Sequence, residues 1–511
     1  MGAPDIPVID RGRSEGTWTS LIDRKLVISF LVYLLLLGSM AVFGRYWNTY
    51  KAFYGPWFIS FVFFMYFLLK SEIIRYFDDA KPWKVMLFLF LLTAALHIPF
   101  LVQSPSMSQD ILRMERRGED FVSGKFPYRD FAVNKPPMYI WMVGVLSFPF
   151  GPHNISYRIF FTLMSALVPV AMYGVYHRLK NRPAKDDEGP FGIGFPNMTW
   201  AGAAFAYALC PIPILETGMA GHFDPVVVLN TVVAFYFLVR ERPFMSGAFL
   251  GMGFALKLYP LFMVPLFFLA FRKWKERILF VIGFITIPIL ASLPILLVDP
   301  ILISRYLRYQ FVSWYTGFSI RYGLEWLLDS LSLSTRIAYI VMTALLGAGC
   351  LYYYLRGMFG RPRKMDSAPL VVLLFLITTM GIALSTVFYA VDADSVWDWL
   401  FGVIGTLISI VIPVLGLYIF MHWHYDGHPL LKGLNIKGLF ISRIRKRDVP
   451  FYTSLILILL VLTSAQFHPW YLTWILPFAM ASGIPYWGWT VLFFFSSLQS
   501  NAYPPWELGR I

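Results

Sequence analysis

Apolar runs long enough to cross a hydrocarbon core of roughly 30 Å recur along this chain. They fall near 26–43, 56–69, 85–103, 157–177, 199–217, 225–239, 278–298, 335–355, 369–389, 399–421 and 452–466. Shorter apolar runs lie at 137–150, 245–256, 261–271, 470–482 and 486–499. Most charged residues lie in the stretches between them. The pattern predicts an all-α, polytopic integral membrane protein of about 12–14 transmembrane helices, the unit that satisfies its own backbone in lipid. Three blocks follow: 1–84 with an N-terminal polar segment and a hairpin of spans, 85–300 with a long polar loop, and 301–511 with a second such loop at 299–334.

Basic residues orient these spans. Arg11, Arg13, Arg24 and Lys25 precede the first run, which predicts a cytoplasmic start with no signal-peptide layout. The stretch 104–136 is then external. If 137–150 crossed the membrane, Arg178, Lys180, Arg182 and Lys185 would also be external, so it is expected as a half-buried helix at the outer surface. This reading puts Arg240/Arg242, Arg272/Lys273/Lys275/Arg277, Arg356/Arg361/Arg363/Lys364 and Arg443/Arg445/Lys446/Arg447 in the cytoplasm as well. The runs 245–256 and 261–271 are each about 18 Å long at 1.5 Å per residue, too short to span alone. They predict a broken hairpin turning at Lys257–Pro260. No tandem repeat is present.

Composition agrees with the pattern. Of 511 residues, 58% are hydrophobic and 14% charged, against about 25% charged in soluble domains. Cys210 and Cys350 both lie in apolar runs, which argues against a disulfide framework or a cysteine-ligated metal. The net charge of +14 is mostly cytoplasmic loop charge, so no nucleic-acid partner is expected.

The remaining polar residues collect on the external side. Asp110 lies just past a span, where it is either a general base for an acceptor hydroxyl or a helix cap or loop acid paired with Arg113. Gly124, Pro127, Lys135, Pro136 and Pro137 predict a loop with fixed turns, and five acids against six bases in 104–136 make it self-paired. In TGMAGHFDPVVV, His222 and Asp224 stand at the start of a span; Asp224 is an N-cap, a substrate-facing acid, or both. Lys257 is an isolated cation among apolar neighbours, which calls for an anion partner such as a phosphate. Arg305, Arg308 and Arg321 break the positive-inside pattern among interleaved aromatics; they bind phosphate oxygens or pair with Glu325 and Asp329. His468, in QFHPWYLTW, joins this face. Asp392, Asp394 and Asp398 form only a weak metal signal, and His422, His424 and His428 lie on the opposite side.

At these residues the chain resembles the polytopic GT-C glycosyltransferases that use a polyprenyl-phosphate-linked sugar. It is most similar to the polyprenyl-phosphate-mannose-dependent mannosyltransferases that include the actinobacterial phosphatidylinositol-mannoside enzymes. The resemblance rests on Asp110, then GKFPYRDF…NKPPMYIW, GHFDPVVVLNTVVAFYFL, GAFLGMGFALKLYPLFMVPLF and FHPWYLTWILPF, in that order. It is concentrated between about 85 and 300, with 465–482 adding to it. The NKPP segment is also similar to lipid A aminoarabinose transferases and protein O-mannosyltransferases. Two spans precede the catalytic loop where the family usually has one, so 26–69 looks like an addition, and 335–450 matches no motif.

The resemblance implies an inverting hexose transfer, of mannose, to a hydroxyl of a lipid-linked or glycan acceptor on the external face. Asp110 would be the base, and Lys257, His468, Arg305 and Arg308 would hold the donor phosphate. Tyr128, Lys135, His222, Asp224 and Tyr471 would contact substrate. Desolvation is expected to raise the basicity of Asp110. No metal or cofactor is expected, because side-chain cations stabilise the leaving phosphate. The partners are the lipid-linked donor, the acceptor and membrane lipids, in a cell membrane or an endoplasmic reticulum facing its lumen. Two other readings compete: a secondary transporter or lipid flippase, and a ligase using a lipid-diphosphate donor.

Overall fold

The computed structural model describes residues 24–43, 47–71, 80–102, 109–180, 200–303 and 471–481. It also describes isolated residues at 73, 77, 306, 446, 449–450, 453–454 and 456–457. Among them every regular element is helical, and the one β feature is an isolated bridge between Pro127 and Phe131. Among the described residues four helices are long and apolar enough to cross a membrane, and seven shorter apolar helices accompany them. The protein is an all-α polytopic membrane protein. The runs at 335–355, 369–389, 399–421 and 486–499, and most of 452–466, lie outside the described residues.

Helices α1 (Arg24–Phe43) and α2 (Trp47–Lys70) form the predicted first hairpin. It is seated on the rest of the fold: the Tyr33 hydroxyl donates to Leu209 O at 2.7 Å, and Trp57 stacks on Phe100 with ring centres 5.8 Å apart. Helix α3 (Pro82–Leu101) starts at a proline whose missing N–H would be unsatisfied in any case. In α1 only 22% of the apolar window is buried, so most of its surface is left for lipid.

A helix stands where the sequence pattern predicts only turns. α4 (Gln109–Val122) opens the polar loop. Its Ile111 and Met114 are buried, and Gly118 and Phe121 continue the same stripe at helical spacing. Beyond it the loop pairs internally, as its charge balance predicts: Lys125 with Asp120 at 2.6 Å and Arg129 with Asp130 at 2.9 Å. α5 (Pro137–Phe150) then buries Tyr139, Ile140, Val143 and Leu146 while Val145, Phe148 and Phe150 stay exposed. Trp141 of α5 donates to Ala291 O at 2.6 Å.

α6 (Asn154–Lys180) leads to α7 (Trp200–Leu209), which is buried on every side. A helix apolar all round belongs in a core. The run 199–217 was expected as one continuous span and is instead interrupted. Cys210 is extended, Pro211–Pro213 make a single turn, and Ile214–Met219 continue as a π-helical turn. Pro211 and Pro213 lack the N–H groups that would carry α7 forward. α8 (Asp224–Val239) follows.

The predicted broken hairpin is present. α9 (Pro243–Leu256) stops at Lys257, which is extended, and a 3-10 turn at Tyr259–Met263 leads into α10 (Val264–Ala270). α11 (Trp274–Val298) packs on α9 with their backbones in contact. A Cβ on Gly247 or Gly251 would collide with Phe280 O or Phe284 O, and one on Gly283 with Phe244 O. Small residues at this spacing let membrane helices approach closely. α12 (Leu472–Ala481) packs against α7 and α8.

Candidate active site

Polar side chains meet at one end of the bundle. There α3 and the π-helical turn end, α4, α6, α8 and α12 begin, and the hairpin of α9 and α10 turns. Two buried cationic or imidazole side chains shape this end. Arg158 of α6 donates through Nε and Nη2 to Gly218 O at 2.9 and 2.6 Å, and also to Phe100 O. One guanidinium thus reaches carbonyls at the ends of two helices. The His97 ring lies between Thr93 O and Pro213 O, at 2.7 and 3.3 Å. Together they hold the π-helical turn against α3.

The turn aims His222. His222 N donates to Glu216 O at 2.9 Å, and Gly221 precedes it at φ +71°. A Cβ at Gly221 would lie 2.9 Å from Ile111 Cδ1, so glycine is needed both for the conformation and for contact with α4. His222 is 4% exposed. Its Nδ1 is 3.7 Å from Asp110 Oδ2 and its Nε2 is 3.5 Å from Glu216 Oε2.

Asp110 stands in the first turn of α4, where the helix dipole favours an anion. Helix α4 is fixed from several sides. Glu115 Oε1 accepts from Asn154 N at 2.6 Å, and Arg117 donates to Asn134 Oδ1 at 2.7 Å. Gly118 lies against Tyr157 and Ser147. Asp110 also meets Arg113 at 3.6 Å and keeps 31% of its side chain exposed. Burial alone would raise its carboxyl pKa, as the sequence reading expects. Its neighbours outweigh burial: Lys135 first, then the His222 imidazole, Lys257 and Arg113 hold it well below the usual carboxylate range. Asp110 is a strongly ionised carboxylate, not one made more basic by its surroundings. Burial pushes the His222 imidazole down, against the opposing pull of Asp110 and Asp224.

Asp224 and Lys257 form the inner half of the cluster. Lys257 Nζ donates to Asp224 Oδ1 at 2.7 Å, and Trp474 Nε1 donates to the same oxygen. The ammonium lies 4.7 Å from the Trp474 ring centre, 5.3 Å from Phe223 and 5.6 Å from Tyr471. Such faces attract a cation. Asp224 is not an N-cap: Phe223 holds that position, without a side-chain cap bond, and the carboxylate turns to Lys257. The anion partner that Lys257 calls for is first of all this carboxylate. Asp224 Oδ2 is buried with no hydrogen-bond partner among the described residues.

Six of the predicted residues therefore gather here: Asp110, Lys135, His222, Asp224, Lys257 and Tyr471. Lys135 lies over the Phe223 ring at 5.8 Å. Tyr128 stands to one side, at φ 65°, with its hydroxyl donating to Lys135 O at 2.6 Å and its ring edge-on to Tyr306. With Arg113, Arg117 and Asn134 it lines a cavity of about 370 Å³. Arg305, Arg308, Arg321 and His468 lie outside the described residues, as do Asp392, Asp394 and Asp398. Glu216 and Arg158 were not singled out from sequence. Each is an ionisable residue inside an apolar run, a costly placement in lipid and therefore a signal in itself.

A multi-pass helical membrane protein with an ionised carboxylate at a cationic helix-end cluster is the class that fold and site define. Residues 136–413 match the profile of Glycosyltransferase family 87, more than half of the chain, and the protein belongs to that family. It is a membrane glycosyltransferase, which sets aside the transporter and flippase reading. Glu216, His222, Asp224 and Lys257 lie inside the matched segment; Asp110 and α4 precede it. No curated protein matches the chain.

Proposed function

We propose that the enzyme transfers a hexose, mannose in the first instance, from a polyprenyl-phosphate donor to a hydroxyl of a lipid-linked or glycan acceptor. Transfer occurs with inversion, on the external face of the membrane. The observation that carries this reading is the Asp110 carboxylate, one-third exposed and ringed by Lys135, His222, Lys257 and Arg113. Asp110 takes the acceptor hydroxyl proton as that oxygen attacks the anomeric carbon from the face opposite the lipid phosphate. The bond from the anomeric carbon to the phosphate oxygen breaks, and the polyprenyl phosphate leaves with the electron pair. Lys257 has three N–H donors, of which one is given to Asp224, so two remain for the departing phosphate. His468, Arg305 and Arg308 are proposed to share that charge. Tyr471, Tyr128 and Lys135 line the approach. No metal is needed where side-chain cations take this part.

The test is transfer of labelled sugar by the enzyme reconstituted in lipid nanodiscs with membrane glycolipids as acceptors. Polyprenyl-phosphate mannose is expected to serve as donor, and Asp110→Asn to insert normally and lose transfer. Full activity in Asp110→Asn overturns the role of the base. Turnover only with a polyprenyl-diphosphate oligosaccharide overturns the donor and favours the ligase reading.

A further inference from the structure

Glu216 has no part in the chemistry above. It lies in the π-helical turn, its side chain 10% exposed, and His222 is the ion-pairing partner seen for it among the described residues. His222 in turn reaches Asp110 through its other nitrogen. A carboxyl, an imidazole and a carboxylate therefore stand in line, with Asp110 at the substrate end. The two separations, 3.5 and 3.7 Å, are ion-pair distances somewhat longer than hydrogen bonds.

The proton count decides what Glu216 can do. A neutral imidazole offers one donor and one acceptor. Ionised Asp110 only accepts, so in the arrangement that couples all three groups Nδ1 carries the hydrogen and Nε2 accepts, although at 3.7 Å Asp110 does not impose this tautomer by itself. The group facing Nε2 then has to donate, and Glu216 donates only as the neutral acid. An imidazolium between two carboxylates would hold the same number of protons and differ only in where one of them sits. The surrounding charges disfavour that arrangement. Lys135, Lys257 and Arg113 surround Asp110, Asp224 is a further anion near Glu216, and the Arg158 guanidinium is committed to Gly218 O and Phe100 O.

We infer that Glu216 is a positioning residue for the transfer: as a neutral acid it donates to His222 Nε2, fixes the Nδ1–H tautomer and thereby aims Asp110. Asp110 Oδ2 is held by His222, and Oδ1 is left beside Arg113 to receive the acceptor proton. The inference rests on Asp110 being the base.

Two readouts test it on the full chain in nanodiscs. The first is the ¹⁵N spectrum of histidine-labelled protein, with the His222 signal assigned by its loss in His222→Asn. The Nδ1–H tautomer is expected in the native protein and in Glu216→Gln, whose amide also donates to Nε2, and a mixture in Glu216→Ala. An unchanged tautomer in all three overturns the inference. The second is kinetic: Glu216→Ala lowers kcat about tenfold, the scale on which groups orienting an active residue act, at unchanged donor KM. Glu216→Gln stays within about threefold, and Glu216→Ala costs nothing further in His222→Asn, as expected of residues acting as one unit. Equal damage from Gln and Ala, or full additivity with His222→Asn, overturns it. Native protein inactive with polyprenyl-phosphate mannose would instead count against the donor, and the spectrum alone would decide the role of Glu216.

Discussion

Asp110 and Asp224 belong to one cluster and end in opposite states. Asp224 is 1% exposed and locked to Lys257 at 2.7 Å, with Trp474 on the same oxygen and aromatic rings around the pair. Asp110 is 31% exposed, and its ion partners stand at 3.6 and 3.7 Å. A carboxylate with a short, buried partner is bound into the fold, because separating that pair strands a charge away from water. One held by several longer contacts stays ionised and can still receive a proton. The difference separates an inner acid built into the fold from an outer one suited to the proton transfer proposed for it.

The largest expected effect falls on the outer half. Asp110→Asn removes the proton acceptor while keeping its shape, so kcat should fall by at least about a hundredfold, with the size-exclusion profile unchanged. Comparable loss of folded protein would place Asp110 with Asp224 and dissolve the distinction.

The inner half should respond the other way, in stability. Asp224→Asn or Lys257→Met alone leaves one charge unpaired in a buried setting, which costs about 3–5 kcal/mol and should appear as a large drop in thermal midpoint. The double variant should regain most of that midpoint, since no charge is stranded, yet stay inactive for want of the Lys257 ammonium. Restored transfer in the double variant would show that Lys257 serves only to neutralise Asp224.

Gly221→Ala probes the joint between the halves. The substitution forces a side chain into a left-handed conformation, at about 1–2 kcal/mol, and against Ile111. A modest fall in thermal midpoint with a several-fold loss of kcat is expected, because His222 and α4 are pushed apart. Native kinetics in this variant would mean that the contact between His222 and Asp110 does not matter.

Much of this was legible in sequence where lipid forces the outcome. Between 82 and 298 the apolar runs and the observed helices coincide closely, because a membrane segment must satisfy its backbone within itself. The hairpin turn at Lys257 was readable from its proline and its isolated charge. Helix α4 was not, although Ile111, Met114, Gly118 and Phe121 carry its period; the surrounding turn residues and charges masked it. The break at Cys210–Pro213 was hidden because the apolar run continues through it. Asp224 and Lys257 are separated by 33 positions, and neither residue announces the other. Glu216 was one residue outside the motif read around His222, yet an acid in an apolar run is itself a signal.

The smallest expected effect concerns the pH profile. Asp110 must be deprotonated to act, so activity is lost as pH falls through its pKa in the free enzyme. Because neighbouring cations depress that pKa, the native acid limb due to Asp110 should lie below the ordinary carboxylate range. Removing a cation raises the pKa, so the limb should move to higher pH. Lys135→Met should move it more than Arg113→Gln. Lys135 acts on Asp110 more strongly than its other neighbours, while Arg113 is 52% exposed and water screens its charge. A limb that fails to move in Lys135→Met would mean that the group titrating in kcat/KM is not Asp110. A larger shift from Arg113→Gln than from Lys135→Met would put the ion pair within α4, not the cluster across the helices, in control of the outer carboxylate.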